Sequence, residues 1–166
     1  MPRKTAAWSR TSTRPELFRI LKEEHKTVKD MFMEFERVSQ RNDMETCASL
    51  AMSICAELEG HTQREEQIVY PQLKEQDEEM FFEATEEHTL AKGLITQIKR
   101  MQAEDDEFKA KVKVLKDVVE HHIEEEESEV FSELRELPAD TLRECAASWK
   151  EAIGQATRAT TRSRAA

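Results

Sequence analysis

The sequence is short of glycine and proline, with three and four in 166 residues. Hairpins and tight turns draw on both, so an all-β or α/β fold is excluded, and abundant Ala, Leu, Met, Glu, Lys and Gln favour long helices. Cysteine is also scarce. Cys47, Cys55 and Cys145 are odd in number and lack CxxC spacing, which argues against a disulfide framework and a thiolate zinc site. On one helix Cys47 and Cys55 would lie about 12 Å apart, beyond disulfide reach, so all three are expected reduced and packed. No apolar run approaches the roughly 20 residues of a membrane-spanning helix. The opening MPRKTAAWSR has no apolar signal core, so a cytoplasmic protein without a membrane partner is expected.

Charge is unevenly spread over a net −10. Residues 1–14 hold Arg3, Lys4, Arg10 and Arg14, residues 156–166 hold Arg158, Arg162 and Arg164, and neither end has an acid, which leaves −17 for the body. Such a body repels nucleic acid and anionic membranes at long range. The short Thr-, Ser- and Arg-rich ends, 1–14 and 156–166, are expected to be disordered basic tails.

Between the tails, Pro15 should open a helix, Pro71 end one and Pro138 open the last. Asn42-Asp43, Asp77 and Asp105-Asp106 offer N-caps. Helices are therefore expected at about 15–39, 43–70, 78–102, 106–134 and 139–155. Four long rods with short connections predict an all-α, antiparallel up-down four-helix bundle over 15–134, followed by a short fifth helix within 135–155. That helix carries Leu142, Cys145, Trp149 and Ile153 as one stripe. It should either pack across the bundle or form a homo-oligomer contact.

Each long helix carries an apolar stripe interrupted by polar residues. Phe18, Leu21, position 25, Val28, Phe32 and Phe35 form the first, and Phe81, Ala84, position 88, Ala91, Ile95 and Ile98 the third; both gaps are histidines, His25 and His88. The second and fourth stripes end in His61 with Glu65 and in His122 with Glu126. All six polar residues thus face the interior. The chain also repeats itself: Glu23-Glu24-His25 falls on Glu86-Glu87-His88, and His61, Glu65, Glu66 and Tyr70 fall on His122, Glu126, Glu127 and Phe131. This repeat selects His122 over His121 as the inward residue.

A lone histidine on an apolar stripe is usually a satisfied core residue. Four, joined by two glutamates in a duplicated pattern, call for a metal, because a desolvated carboxylate costs several kcal/mol unless paired or bound. His and Glu at i and i+4 project from one helix face. Four imidazoles and two carboxylates suit two metals bridged by the carboxylates. Tyr70, Lys92 and His121 are candidates for the surroundings of the site. Glu124, Glu125 and Glu127 read as a solvated face, and Gly60 and Gly93 as places where helices could approach closely.

His25, the run HTQREEQIVYP at 61–71, EEH at 86–88 and HIEEEESEVF at 122–131 together resemble the hemerythrin family, in its HHE cation-binding branch, over about residues 16–134. The resemblance implies a non-haem di-iron centre with His25 and His61 on one iron, His88 and His122 on the other, and Glu65 and Glu126 bridging; Mn or Zn also suit such ligands. Oxygen carriers of the family have a further histidine where this chain has Lys92. Both irons would then keep an open position, which implies reaction with O2 or hydrogen peroxide, of oxidase or peroxidase/catalase type, rather than O2 storage. The alternatives are a non-catalytic module that senses or buffers iron, O2 or NO, and a purely structural bundle.

Overall fold

The structure, a computed structural model, describes residues 15–164; the expected N-terminal tail and the last two residues lie outside them. Every described element is helical: α1 Glu16–Ser39, α2 Met44–Arg64, a π-helical turn Glu65–Val69, α3 Tyr70–Gln76, α4 Glu78–Ile98, α5 Phe108–Glu125, a second π-helical turn Glu126–Val130, α6 Phe131–Leu134 and α7 Ala139–Arg164. No described helix is long and apolar enough to cross a membrane.

Local chemistry sets most boundaries. Pro15 occupies the N-cap of α1. Asp43 caps α2 by accepting from the Thr46 N–H at 3.1 Å, and Asp77 caps α4 by accepting from the Met80 N–H at 2.9 Å, each satisfying an otherwise orphaned donor. Asn42 turns the chain into α2 at φ 54°, a left-handed conformation that Asn tolerates. Asp105 instead accepts from the Gln102 N–H at 2.7 Å, so it ties the loop and α5 begins later, at Phe108, without a side-chain cap.

Two expectations on helix extent are corrected. Pro71 does not end its helix. It sits in the first turn of α3, straight after a π-helical turn, where a missing N–H is tolerated. The last helix runs past 155 to Arg164, so the stretch expected as a disordered tail is helical over 156–164. Nothing after Pro138 breaks it, and the Thr157, Thr160 and Thr161 hydroxyls donate back to carbonyls one turn earlier.

α1 packs on α2 and α4 on α5, with further contacts of α1 with α5 and α2 with α4. The apolar core has two parts. One joins Phe32, Phe35, Ile54, Leu58, Ile95, Phe108 and Leu115; the other joins Leu17, Phe18, Tyr70, Leu73, Phe131, Leu142 and Trp149. Between them lies a buried polar layer of His25, His61, Glu65, His88, His122 and Glu126. α7 packs against α1 and the first π turn, so its Leu142, Cys145 and Trp149 are buried on the chain's own core and only Ile153 of the stripe is exposed.

Candidate metal centre

The six residues singled out from the stripes meet in that layer. His25, His61, Glu65 and Glu126 offer ligand atoms within 4.8 Å of one another, as do Glu65, His88 and His122, so Glu65 belongs to both groups. His61 Nε2 lies 2.9 Å from Glu65 Oε1, His88 Nε2 3.1 Å from Glu65 Oε2, and His25 Nε2 3.0 Å from Glu126 Oε2. The Nε2 atoms of His88 and His122 stand 3.2 Å apart.

An outer ring of four carboxylates fixes these imidazoles. The Nδ1 atoms of His25, His61, His88 and His122 lie 2.9, 2.8, 3.0 and 2.7 Å from Glu127, Glu24, Glu66 and Glu87. With Nδ1–H donating outward, each ring presents the Nε2 lone pair inward, the tautomer a metal needs. The ring follows the repeat. Glu24 and Glu87 precede a histidine of the layer, and Glu66 and Glu127 follow a glutamate of it. Glu127 is therefore no part of a solvated face. The doubled EEH and Glu-Glu pairs were the sequence signal for this ring, but periodicity alone assigns such residues to the rim.

Three of the four carboxylates are held by cations: Glu127 by Lys22 at 2.7 Å, Glu24 by Arg64 at 2.6 Å and Glu66 by Lys92 at 2.5 Å. Lys92 thus supports His88 through Glu66. Trp149 of α7 donates its indole N–H to Glu24 at 2.9 Å, and the Arg64 guanidinium lies 5.0 Å from the Trp149 ring centroid. Nothing in the spacing of the fifth helix marked it as reaching the site. His121 is exposed and pairs with Glu125 at 3.1 Å.

The π turns place the remaining contact. On a regular helix Tyr70, five residues after Glu65, would point roughly 140° away from it. The wider turn, closed by Tyr70 N–H to Glu65 C=O, brings it back onto the inner face, where its hydroxyl oxygen lies 2.9 Å from His88 Nε2. The second π turn starts at Glu126 in the same way but delivers Phe131, which lies over His25 at 6.3 Å between ring centroids. Such turns recur at functional sites. Ser132 takes the place of Pro71 in the second half, so the proline is not their cause.

Residues 16–134 match the family described as Hemerythrin HHE cation binding domain. The chain belongs to the hemerythrin family. Over 139 residues it is 29% identical to the DNA nickase of Nostoc sp. (strain PCC 7120 / SAG 25.82 / UTEX 2576), an overlap of 80% of this chain and 38% of that protein. The chain thus spans well under half of that relative's length. No solved structure matches it.

Hemerythrin-like HHE domains bind metal cations, typically iron, and the donor set here fits that group. Nε2 of His25 and of His61 and all four carboxylate oxygens of Glu65 and Glu126 are buried without a hydrogen-bond partner among the described residues, a cost of several kcal/mol per charge that a cation removes. Two facing Nε2 lone pairs at 3.2 Å likewise require a cation or a proton between them. Burial pushes the His61 imidazole down, but Glu65 and Glu24 beside it win and lift it to about 10. Burial likewise opposes the Glu65 charge, yet His61 and His88 hold its carboxyl well below the usual range. Burial and the surrounding carboxylates keep the Tyr70 hydroxyl protonated.

Beside the hemerythrin-type layer, Val28, Leu58, Ala91, Val118, Val119 and Ile123 line an apolar pocket of about 20 Å³ that borders all four histidines, room for about one water-sized molecule.

Proposed function

We propose that this is a non-haem di-iron protein whose carboxylate-bridged site reacts with O2 or hydrogen peroxide, carried in an antiparallel up-down four-helix bundle. The sharing of Glu65 between the His25–His61 and the His88–His122 groups carries the reading. Bound there, two irons would supply Lewis acidity and one-electron redox chemistry toward a small oxidant.

The chain's own residues do the rest. His25 and His61 with Glu65 and Glu126 would hold one metal, His88 and His122 with Glu65 the other, and Glu126, which lines one pocket together with His122, would serve the second metal as well. Each imidazole is kept in register by its carboxylate, and loss of such outer partners typically costs 10- to 100-fold in metal affinity or activity. Tyr70 holds a proton at its hydroxyl oxygen, 2.9 Å from His88 Nε2, poised for donation to a reduced oxygen species. The apolar pocket beside the four histidines offers space for one small neutral molecule. Position 92 adds no ligand, because Lys92 is committed to Glu66, and this supports a centre with room for substrate at both metals.

The test is metal analysis and an optical spectrum of protein purified without a chelating column, then peroxide and O2 assays on the iron-loaded form. Iron in a two-to-one ratio to chain with rapid peroxide loss supports the reading; one metal per chain after full loading counts against a bridged pair. A second reading, a non-catalytic module that senses or buffers iron, O2 or NO, is favoured by the polar layer that divides the core. A large iron-dependent gain in helicity without peroxide turnover would select it. DNA cleavage is the described activity of the Nostoc relative, and the acidic body offers it no support here.

A further inference from the structure

The two halves of the chain differ beside Glu24 and Glu87 of the outer ring. At the spacing that carries His61 and Glu65 onto His122 and Glu126, Gly60 falls on His121 and Arg64 falls on Glu125. In the first half, Arg64 neutralises Glu24. Gly60 makes room for it, since a Cβ at that position would stand 3.1 Å from the Arg64 guanidinium. In the second half the same pair of positions presents an imidazole and a carboxylate. His121, Glu125 and Glu87 bring ligand atoms within 4.8 Å of one another, with His121 Nε2 3.1 Å from Glu125 and 3.8 Å from Glu87. Glu87 is the ring carboxylate without a Lys or Arg partner among the described residues, although it supports His122.

This cluster adjoins a pocket that leads inward. Glu83 and Glu129 stand at its exposed rim, Glu87 and Glu125 on its wall, and His122 and Glu126 also line it. Glu126 is 1% exposed and both of its oxygens lack a hydrogen-bond partner. A buried unpartnered carboxylate therefore faces the same pocket as the outer acids. At the matching place in the first half, Trp149 and Arg64 both donate to Glu24 and stack on one another.

We propose that Glu87, Glu125 and His121 form a port that first holds a divalent cation and passes it inward to His122 and Glu126. The cation occupies the role that the Arg64 guanidinium fills in the first half. Carboxylate and imidazole ligands suit Fe(II), Mn(II) or Co(II), and a cleft lined by one sign of charge raises the local concentration of counter-ions. The transfer is ligand exchange alone, with no change of oxidation state. The proposal rests on the reading that the inner cluster binds metal.

The test is stopped-flow mixing of metal-free protein with Co(II), with ligand-field absorbance reporting arrival at the inner cluster. The paired change His121→Gly with Glu125→Arg installs the first half's arrangement, keeps a partner for Glu87, and should slow loading about ten-fold while the final metal content is unchanged. Glu125→Gln alone, the milder variant, should slow it less. Glu124→Gln removes the same charge outside the pocket and should load at the native rate. Native rates in both port variants would overturn the port, as would equal slowing by Glu124→Gln. If the native protein takes up no Co(II), the metal-binding reading falls with it.

Discussion

At the scale of single residues, Glu65 and His121 make opposite predictions. Glu65 serves both ligand groups, so Glu65→Ala should lose both metals together by elemental analysis, and retention of one would make it a terminal ligand. His121 is 65% exposed at its side chain, and the His121→Ala protein should retain both metals at equilibrium. The six inner residues were legible in the sequence, because the three-to-four spacing of apolar neighbours dictates which way a helical side chain points. Spacing could not separate Glu125 from Glu127. The two glutamates that flank Glu126 differ in which neighbouring helix they meet, and Glu127 meets His25. The thiols give a prediction in pH. Burial raises Cys55 from the ordinary 9.0 to about 11, so above 9.0 the folded chain keeps a proton that the unfolded chain releases. The thiol's contribution to stability is complete below 9.0 and is lost as pH rises through about 11. Cys55 should resist alkylation at mildly alkaline pH and react promptly in denaturant; fast reaction of the native protein would contradict its burial.

At the scale of elements, the long helices were legible from stripe and cap, but the two π turns were not. A π turn adds one residue to a helix without changing its composition, and its effect emerges only when Tyr70 is seen against His88. The role of α7 was equally hidden, since a stripe with one Trp fits an oligomer contact as well as an intramolecular one. Its burial makes Trp149→Ala costly, by about 3–5 kcal/mol in chemical denaturation. The same change should weaken metal binding through Glu24, whereas Trp149→Phe should recover most of the stability. Gly93 lies in mid-α4 with nothing within 4 Å of the point where a side-chain methyl would stand, so it does not serve close helix approach. Gly93→Ala should therefore stabilise the protein by about 0.5–1 kcal/mol, seen as a higher denaturant midpoint with metal content unchanged.

At the scale of the whole molecule, the all-helical class and the location of the polar layer followed from composition and spacing, while the extra length of α7 did not, because Thr and Arg near a terminus are read as tail. The layer has a consequence for how the molecule comes apart. It separates the apolar cluster around Phe32 and Leu115 from the cluster around Phe18 and Trp149, and its buried polar atoms without hydrogen-bond partners oppose closure until cations join α1, α2, α4 and α5. Without metal the two ends should behave as separate foldons, each opening with its own free energy. Native-state hydrogen exchange should then show amides near Ile95 and near Leu73 opening in different steps in the metal-free protein, and in one global step once loaded. Cooperativity, on this view, is a property the chain acquires from its metals: chelation would turn a single two-state unfolding transition into two.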